Sequence, residues 1–227
     1  MPVPELSPLK GEVTVVEPDR VERALARRSA ETRATVPDFE LGTDVAADAC
    51  LALAKDRGWS VTAQAVKACA TALRETPRAN AGYRDGHFEL YSRVNVGVTI
   101  ATEGGQVTPT LLDADAKSVA ALDEELAGLR ERARTASLTP PELAGATFTF
   151  TDLGEYGVTR PGVLITPPQA AALAAGAIHE VAVVREDAVV GGHQLSLALA
   201  CDHRILYGAR AARFLARVAE LLERADP

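Results

Sequence analysis

Apolar residues recur along the chain with two different periods, and these periods alternate from segment to segment. A spacing of about 3.6 residues predicts helices over residues 18–32, 46–57, 60–75, 118–134 and 208–224. Alternating or short continuous apolar runs predict strands over residues 39–45, 94–100, 106–112, 146–151, 181–184, 188–190 and 194–201. Because strands outnumber the helices that could cross between them, the pattern favours a mixed α/β (α+β) layer over a doubly wound parallel sheet.

Capping and turn residues support several of these bounds. Asp19 can open the first helix, Gly58 can end the second, and Ser118 can cap the fourth. Asp85-Gly86 lies in the short run 83–88, where it predicts a hairpin. We therefore expect compact elements joined by short turns.

Other segments are less clear. Residues 1–16 look extended, and the glycine pairs 104–105 and 191–192 are expected at hairpin turns. Residues 169–177, QAAALAAGA, favour a helix by propensity alone. Their shortness and the flanking prolines also permit a buried strand, so the pattern leaves this segment open.

Composition narrows the class of protein. Of 227 residues, 47% are apolar, which is enough for a sizeable core, and the net charge of −7 argues against nucleic acid as a general partner. No apolar run reaches the length of a membrane span, and the first residues do not form a targeting signal. Cys50, Cys69 and Cys201 are too widely spaced for a metal site. We expect a soluble cytoplasmic protein with reduced thiols and no bound metal.

The run Cys201-Asp202-His203-Arg204 joins an alternating apolar segment to a helical one. It places a histidine, between an acid and a base, where a strand passes into a helix. An imidazole that titrates near neutral pH can act as a general base on a hydroxyl or thiol. A structural histidine, held by hydrogen bonds at a strand end, is the competing interpretation and the commoner one for a lone histidine.

Two further side chains have competing interpretations. Thr151 ends a strand, where its hydroxyl could stabilise developing negative charge. A turn-forming threonine explains the same residue, and the residues alone favour it. Cys201 shares a strand face with His203 and could be a nucleophile, but its apolar neighbours favour a core thiol. The sequence has no GxSxG motif, so a serine nucleophile of that type is excluded.

Seven segments in order resemble the catalytic domain of the 2-oxoacid dehydrogenase acyltransferases, also called dihydrolipoamide acyltransferases. The segments are residues 24–28, 35–39, 94–98, 107–115, 148–154, 167–171 and 202–204. The resemblance rests on their order and spacing and extends from about residue 8 to about residue 222. It implies one catalytic domain over residues 1–227, with the chloramphenicol-acetyltransferase-like mixed sheet and flanking helices. It also decides residues 169–177 in favour of a strand.

The resemblance also implies roles for individual residues. In this family the histidine of the DHR motif is the general base, which is His203 here, and a hydroxyl that stabilises the oxyanion corresponds to Thr151. Asp202, Arg204 and Tyr207 are expected to support the base. Tyr207 stands where the family motif H-R-x-x-D-G has an aspartate. The family builds its sites between the subunits of a homotrimer, and we expect the same here.

Three features lead us to expect an enzyme outside a dehydrogenase complex. The chain starts at Met1, carries neither a lipoyl domain nor a long linker, and ends on a polar tail that favours a free trimer. We therefore expect acetyl transfer from acetyl-CoA to a hydroxyl of a small metabolite. Free-standing family members acetylate tetronates in this way in bacterial polyketide (antibiotic) biosynthesis. Acetyl-CoA would be a co-substrate, with no tightly bound cofactor.

Two alternatives remain open. The first is a truncated core of a 2-oxoacid dehydrogenase complex, which would move acyl groups between dihydrolipoamide and CoA. The second is an inactive scaffold or acyl-CoA-binding module, because Tyr207 cannot make the charge pair of the motif aspartate. The scattered lysines and arginines do not identify the residues that would contact CoA.

Overall fold

The computed structural model describes residues 11, 13–102 and 105–224. Its α-helices are α1 (Arg20–Thr35), α2 (Asp48–Arg57), α3 (Val61–Glu75), α4 (Val119–Arg134) and α5 (Gly208–Glu223). Its strands are β1 (Asp38–Ala46), β2 (Ala81–Arg84), β3 (His87–Leu90), β4 (Val96–Thr102), β5 (Gly105–Val107), β6 (Thr110–Leu111), β7 (Phe148–Asp152), β8 (Ala171–Ala175), β9 (His179–Arg185) and β10 (Ala188–Asp202).

The main sheet is mixed. Its strands lie in the order β1-β10-β8-β7-β4-β5, while β6 pairs with β4, and β9 pairs with β10. The β4–β7 and β7–β8 pairs are parallel, and the other pairs of this sheet are antiparallel. Strands β2 and β3 form a separate hairpin. The predicted α/β class, a mixed sheet with flanking helices, is confirmed.

The two faces of the sheet are covered differently. Phe148 and Phe150 of β7 point toward the large core beneath α3, α4 and α5, where Phe148 meets Phe214 with ring centroids 5.8 Å apart. The opposite face carries small side chains on β8 and β10, packed against a few residues outside the sheet: Val36, Val163 and Ile165. Strand alternation therefore gives one thick apolar layer and one thin layer.

Most predicted helix ends agree with the structure. The Asp19 carboxylate accepts the N–H groups of Val21 and Glu22, Gly58 ends α2 with φ 74°, and Ser118 caps α4. Helix α1 runs three residues beyond the predicted end at Thr32. Residues 171–175 form β8, as the family resemblance implied and against their helix propensity. Within the described residues, no helix is long and apolar enough to cross a membrane.

The strand predictions need two corrections. Residues 188–190 and 194–201 belong to one continuous strand, β10, because Gly191 and Gly192 pair with β9 as extended residues. The turn lies instead at Glu186 and Asp187, with φ values of 47° and 62°. The predicted strand 106–112 splits into β5 and β6 around Pro109, which has no N–H to donate to a ladder. Residue 104 and most of residues 1–16 lie outside the described residues.

Candidate active site

The turn between β10 and α5 is organised by one buried carboxylate. The side chain of Asp202 is only 2% exposed. Its Oδ1 accepts the backbone N–H of Arg204 at 3.0 Å, and its two oxygens accept the guanidinium at 2.9 and 2.7 Å. Its carbonyl accepts the N–H groups of Ile205 and Leu206. A charge buried this deeply needs such partners, and they fix the path of residues 202–206.

The Arg204 side chain contacts three other residues. Besides the ion pair with Asp202, it donates to the carbonyl of Thr35 at 3.2 Å and lies 4.3 Å from the ring centroid of Tyr83. The hydrogen bond to Asp202 raises the pKa of the Arg204 guanidinium above its usual range. Arg204 therefore holds the turn against the body of the protein.

His203 is exposed on this turn. Its backbone N–H donates to the carbonyl of Pro37 at 3.0 Å, which fixes the base of the side chain. Its ring meets Phe39 and Tyr207 edge-on, with centroid distances of 5.0 and 5.8 Å. No hydrogen bond joins either imidazole nitrogen to another residue of the described ranges. Both nitrogens are thus accessible to a proton donor from outside the chain.

Tyr207 also lies in this turn, directly before α5. Its carbonyl accepts the N–H groups of Arg210 and Ala211, so its backbone begins the helix. Its side chain is half exposed, and the hydroxyl donates to the carbonyl of Arg204 over a long 3.4 Å. The turn therefore brings Asp202, His203, Arg204 and Tyr207 together.

Thr151 lies elsewhere, near the end of β7 between two parallel neighbours. It is paired with Thr99 of β4 and Ala174 of β8. Its hydroxyl donates to that of Thr99 at 3.1 Å. Both side chains face away from the helical core, into a cavity of about 420 Å³ bounded by α1 and residues 162–166. Thr151 thus presents a hydroxyl to an open space, with another hydroxyl behind it.

A single chain does not bring Thr151 and His203 together. The register places Thr151 level with Ala174 and, through it, with Ala198 of β10. His203 follows five positions later along the chain and lies two strands away. At about 3.3 Å per residue and about 4.8 Å per strand, the two residues are on the order of 20 Å apart. One active site can use both only if they come from different copies of the chain.

The alternative nucleophile, Cys201, is inaccessible. It is fully buried in the helical core, where burial and the charge of Asp202 raise its pKa to about 12. A thiol in that state is neither ionised nor exposed near neutral pH. The structure therefore supports the core interpretation of Cys201. Across the described ranges there is also no group of three or more side chains suited to a metal ion.

Two residues near the candidate groups were missed by sequence reasoning. Thr99 touches Thr151 only because β4 and β7 are parallel and in register, and the strand order is not readable from either segment alone. Phe39 reaches His203 because β1 pairs with β10, with Asp38 opposite Asp202. Pairing the predicted strands 94–100 and 146–151 in parallel would have been the signal for Thr99.

Comparison with known proteins identifies relatives of this chain. The sequence model of one protein family, the 2-oxoacid dehydrogenases acyltransferase (catalytic domain), matches residues 10–227. A dihydrolipoyllysine-residue acetyltransferase component of the pyruvate dehydrogenase complex from Rickettsia bellii is 33% identical, over 90% of this chain and 51% of that protein. The chloroplastic component 5 from Arabidopsis thaliana is 35% identical, over 94% and 46%. The chain spans about half the length of these curated relatives.

Solved structures that are similar to this chain include enzymes of the same kind as these sequence relatives. The dihydrolipoamide acetyltransferase of Azotobacter vinelandii superimposes with a TM-score of 0.90 at 28% identity, covering 99% of this chain and 98% of that one. A cubic core of the pyruvate dehydrogenase multienzyme complex gives 0.90 at 29% identity, with the same coverage. A chloramphenicol acetyltransferase gives 0.61 at 16% identity, covering 86% and 94%. The last value concerns the fold alone and confirms the expected chloramphenicol-acetyltransferase-like architecture.

The Azotobacter structure was studied for the roles of a serine, a histidine and an asparagine in catalysis. Those residues stand 52 and then 4 positions apart, and Thr151, His203 and Tyr207 have the same separations. The asparagine of that protein is thus separated from its histidine as Tyr207 is separated from His203.

These relatives bear on two expectations, the co-substrate and the acyl acceptor. Acetyl-CoA as co-substrate, without a lipoyl group, is wrong as an account of this family, because the relatives are named for acetyl transfer at dihydrolipoyllysine residues. They lend no support to a hydroxyl acceptor in tetronate or other polyketide biosynthesis. They favour the alternative in which acyl groups move between dihydrolipoamide and CoA.

Proposed function

The chain belongs to the 2-oxoacid dehydrogenase acyltransferase family, and on this premise we propose that it transfers acyl groups between dihydrolipoamide and CoA. The observation that carries the proposal is the exposed His203 imidazole, together with the Thr151 hydroxyl at the separation found in the Azotobacter enzyme. The acyl group we favour is acetyl, because acetyl is the group named for the relatives.

His203 is the general base. It takes the proton from the thiol of CoA as the sulfur attacks the thioester carbonyl of the acyl-dihydrolipoyl donor. The tetrahedral intermediate then collapses, the carbon–sulfur bond to the dihydrolipoyl group breaks, and the imidazolium returns the proton to the leaving sulfur. The proton and the acyl group thus both end on the correct partner, without an external acid or base.

Thr151 stabilises the intermediate. A hydroxyl that donates to the oxyanion lowers the barrier because it interacts more strongly with the full charge than with the carbonyl of the substrate. The Thr151 hydroxyl now donates to Thr99, so it must rotate toward the oxyanion during the reaction. The open cavity on the same side leaves room for that rotation.

Two copies of the chain form each site, in a homotrimer with sites between subunits. Three features support this assembly. His203 and Thr151 are far apart in one chain, and His203 is exposed. The third is helix α1, in which Thr32 is the single buried residue of 16. Helices in proteins owe most of their stability to tertiary packing, which a second subunit would supply to α1.

The proposal is tested by assaying acetyl transfer from S-acetyldihydrolipoamide to CoA and following acetyl-CoA formation. We expect turnover by the wild type and a loss of about 10²- to 10⁴-fold in kcat for His203→Ala, the usual contribution of a general base. His193→Ala is a matched control, because His193 lies on β10 outside the turn of His203, and its ring contacts Asp48 at the start of α2. It should keep full activity.

Two results would contradict the proposal. Full activity of His203→Ala would remove the general base. Failure of the wild type to use the dihydrolipoyl donor, with turnover on a hydroxyl acceptor instead, would remove the substrate class. The second result would restore the hydroxyl acceptor as the better account.

A further inference from the structure

The imidazole of His203 is bordered by two aromatic rings. Phe39, from β1, meets it at a centroid distance of 5.0 Å and an interplanar angle of 85°. Tyr207, directly before α5, meets it at 5.8 Å and 70°. Such edge-to-face contacts are directional, so the two rings together restrict rotation of the imidazole. No hydrogen bond from the described ranges supplies that restriction.

The Tyr207 ring makes its contact from a fixed backbone. The Tyr207 carbonyl accepts two helix N–H groups, from Arg210 and Ala211, both at 2.9 Å. Its hydroxyl is directed to the carbonyl of Arg204, within the same turn, at 3.4 Å. At this distance the hydrogen bond is weak. The contact that Tyr207 offers to His203 is therefore made by the ring and not by the hydroxyl.

One relative has a different residue at the same separation from its histidine. The Azotobacter enzyme has an asparagine four positions after the histidine, and an amide acts through hydrogen bonds. A tyrosine at that position replaces a small polar group with a large flat surface. The substitution alters the means of support and need not remove it, because Phe39 provides a second ring on the other element.

We propose that Tyr207 is a positioning residue, whose ring holds the His203 imidazole for proton transfer while its hydroxyl is dispensable. This inference rests on the proposed function, because it assigns Tyr207 a role in that reaction. It predicts that aromaticity at position 207 matters and that the hydroxyl does not. The Phe39 ring, on β1, also restricts rotation of the His203 imidazole.

The experiment compares Tyr207→Phe with Tyr207→Leu, using kcat and KM for both substrates. We expect Tyr207→Phe to match the wild type. Tyr207→Leu should lower kcat by about 3- to 10-fold, the range for losing one edge-to-face contact, and leave both KM values within about twofold. Phe88→Leu is the matched control, because Phe88 is a similarly exposed ring with its own aromatic contact, to Tyr83 at 5.9 Å. It should leave kcat unchanged.

A spectroscopic measurement tests the Tyr207–His203 contact independently of turnover. In protein with isotopically labelled histidine, the His203 ring resonances should shift in Tyr207→Leu and remain in place in Phe88→Leu. A leucine that leaves kcat and these resonances unchanged would overturn the inference. A phenylalanine that loses as much activity as leucine would overturn it as well, because the hydroxyl would then be the active part.

Failure of the proposed function has a different outcome. If His203→Ala retained full activity, His203 would not be the base, whatever Tyr207 does. The ring resonances report the Tyr207–His203 contact without reference to turnover. The two claims can therefore fail separately.

Discussion

The two halves of the proposed site are built in opposite ways. His203 lies on an irregular turn, exposed, and the order of that turn comes from one buried ion pair between Asp202 and Arg204. Thr151 lies within a sheet, where two parallel neighbours fix its backbone on both sides, and it faces a cavity. A turn can be disrupted by a single substitution, whereas a position inside a sheet is fixed by many hydrogen bonds.

The two kinds of local structure suit the two proposed tasks, proton transfer and stabilisation of the oxyanion. The base must reach a proton on an incoming thiol, and an exposed turn gives it access. The oxyanion donor must be placed accurately relative to a carbonyl oxygen, and a central strand gives it rigidity. The strand register places His203 and Thr151 on the order of 20 Å apart in one chain. One chain therefore cannot supply both groups to the same site.

After His203→Ala, the largest effect is expected on the sheet half. Thr151→Val keeps the shape of the side chain and removes its hydroxyl, so the fold should be unchanged. We expect kcat to fall by about 10²- to 10³-fold, the usual loss for one oxyanion donor. Steady-state kinetics with S-acetyldihydrolipoamide and CoA would measure it. A loss below threefold would remove Thr151 from the mechanism.

Thr110→Val is the matched control for this substitution. The Thr110 hydroxyl is buried and has no hydrogen-bond partner in the described part of the chain. Removing it eliminates an unsatisfied polar group, which should raise the free energy of unfolding by about 1 kcal/mol. Activity should remain at the wild-type level. Chemical denaturation and the same kinetic assay would measure both.

The turn half is expected to respond in stability as well as activity. Asp202→Ala leaves Arg204 without its carboxylate partner and the turn without its organising acceptor. We expect the free energy of unfolding to fall by about 3 kcal/mol, at the lower end for a broken buried pair because Arg204 is partly exposed. Urea denaturation would measure it, and kcat should fall too because His203 shares the turn.

Glu131→Ala provides the comparison for Asp202→Ala. It removes an exposed carboxylate that pairs with Arg134 on α4. Exposed pairs contribute little, so the unfolding transition should hardly move. If Glu131→Ala and Asp202→Ala shifted the transition equally, the turn would not depend on its buried pair.

A smaller effect is expected at Thr99, which is proposed to act through Thr151. Thr99→Val removes the hydroxyl that accepts from Thr151. The Thr151 hydroxyl must leave this hydrogen bond to reach the oxyanion, so its removal eliminates an interaction of the ground state alone. We expect kcat to rise, by about tenfold at most, which is the value of one ordinary hydrogen bond. In the Thr151→Val background, the same change should have no further effect. Additive effects in this double-mutant cycle would contradict the contact between the two hydroxyls.

The sequence predicts the turn half better than the sheet half. Asp202, His203, Arg204 and Tyr207 are close in the chain, so their proximity follows from local order alone. The contact of Thr151 with Thr99 depends on strand order across 52 residues, which apolar periodicity does not contain. Thr151 itself was identified by family resemblance, since its own sequence context favoured a turn residue.

Two segments, one predicted wrongly and one that the residues alone left open, have the same physical explanation. Gly191 and Gly192 were expected in a turn because glycine tolerates positive φ, yet pairing with β9 keeps both extended. Residues 171–175 favour a helix by propensity, yet β7 and β10 flank them on both sides and make them a strand. In each case tertiary pairing outweighs local preference, which sequence periodicity cannot reveal.

We propose that His203 and Thr151 act together from different subunits. Co-expression of His203→Ala and Thr151→Val chains with different tags, followed by purification on both tags, isolates mixed trimers. In a cyclic trimer each mixed assembly contains one site with both groups intact, so activity should recover to about one third of the wild type. Activity no higher than that of either variant alone would contradict the claim, because it would place both groups in the same subunit.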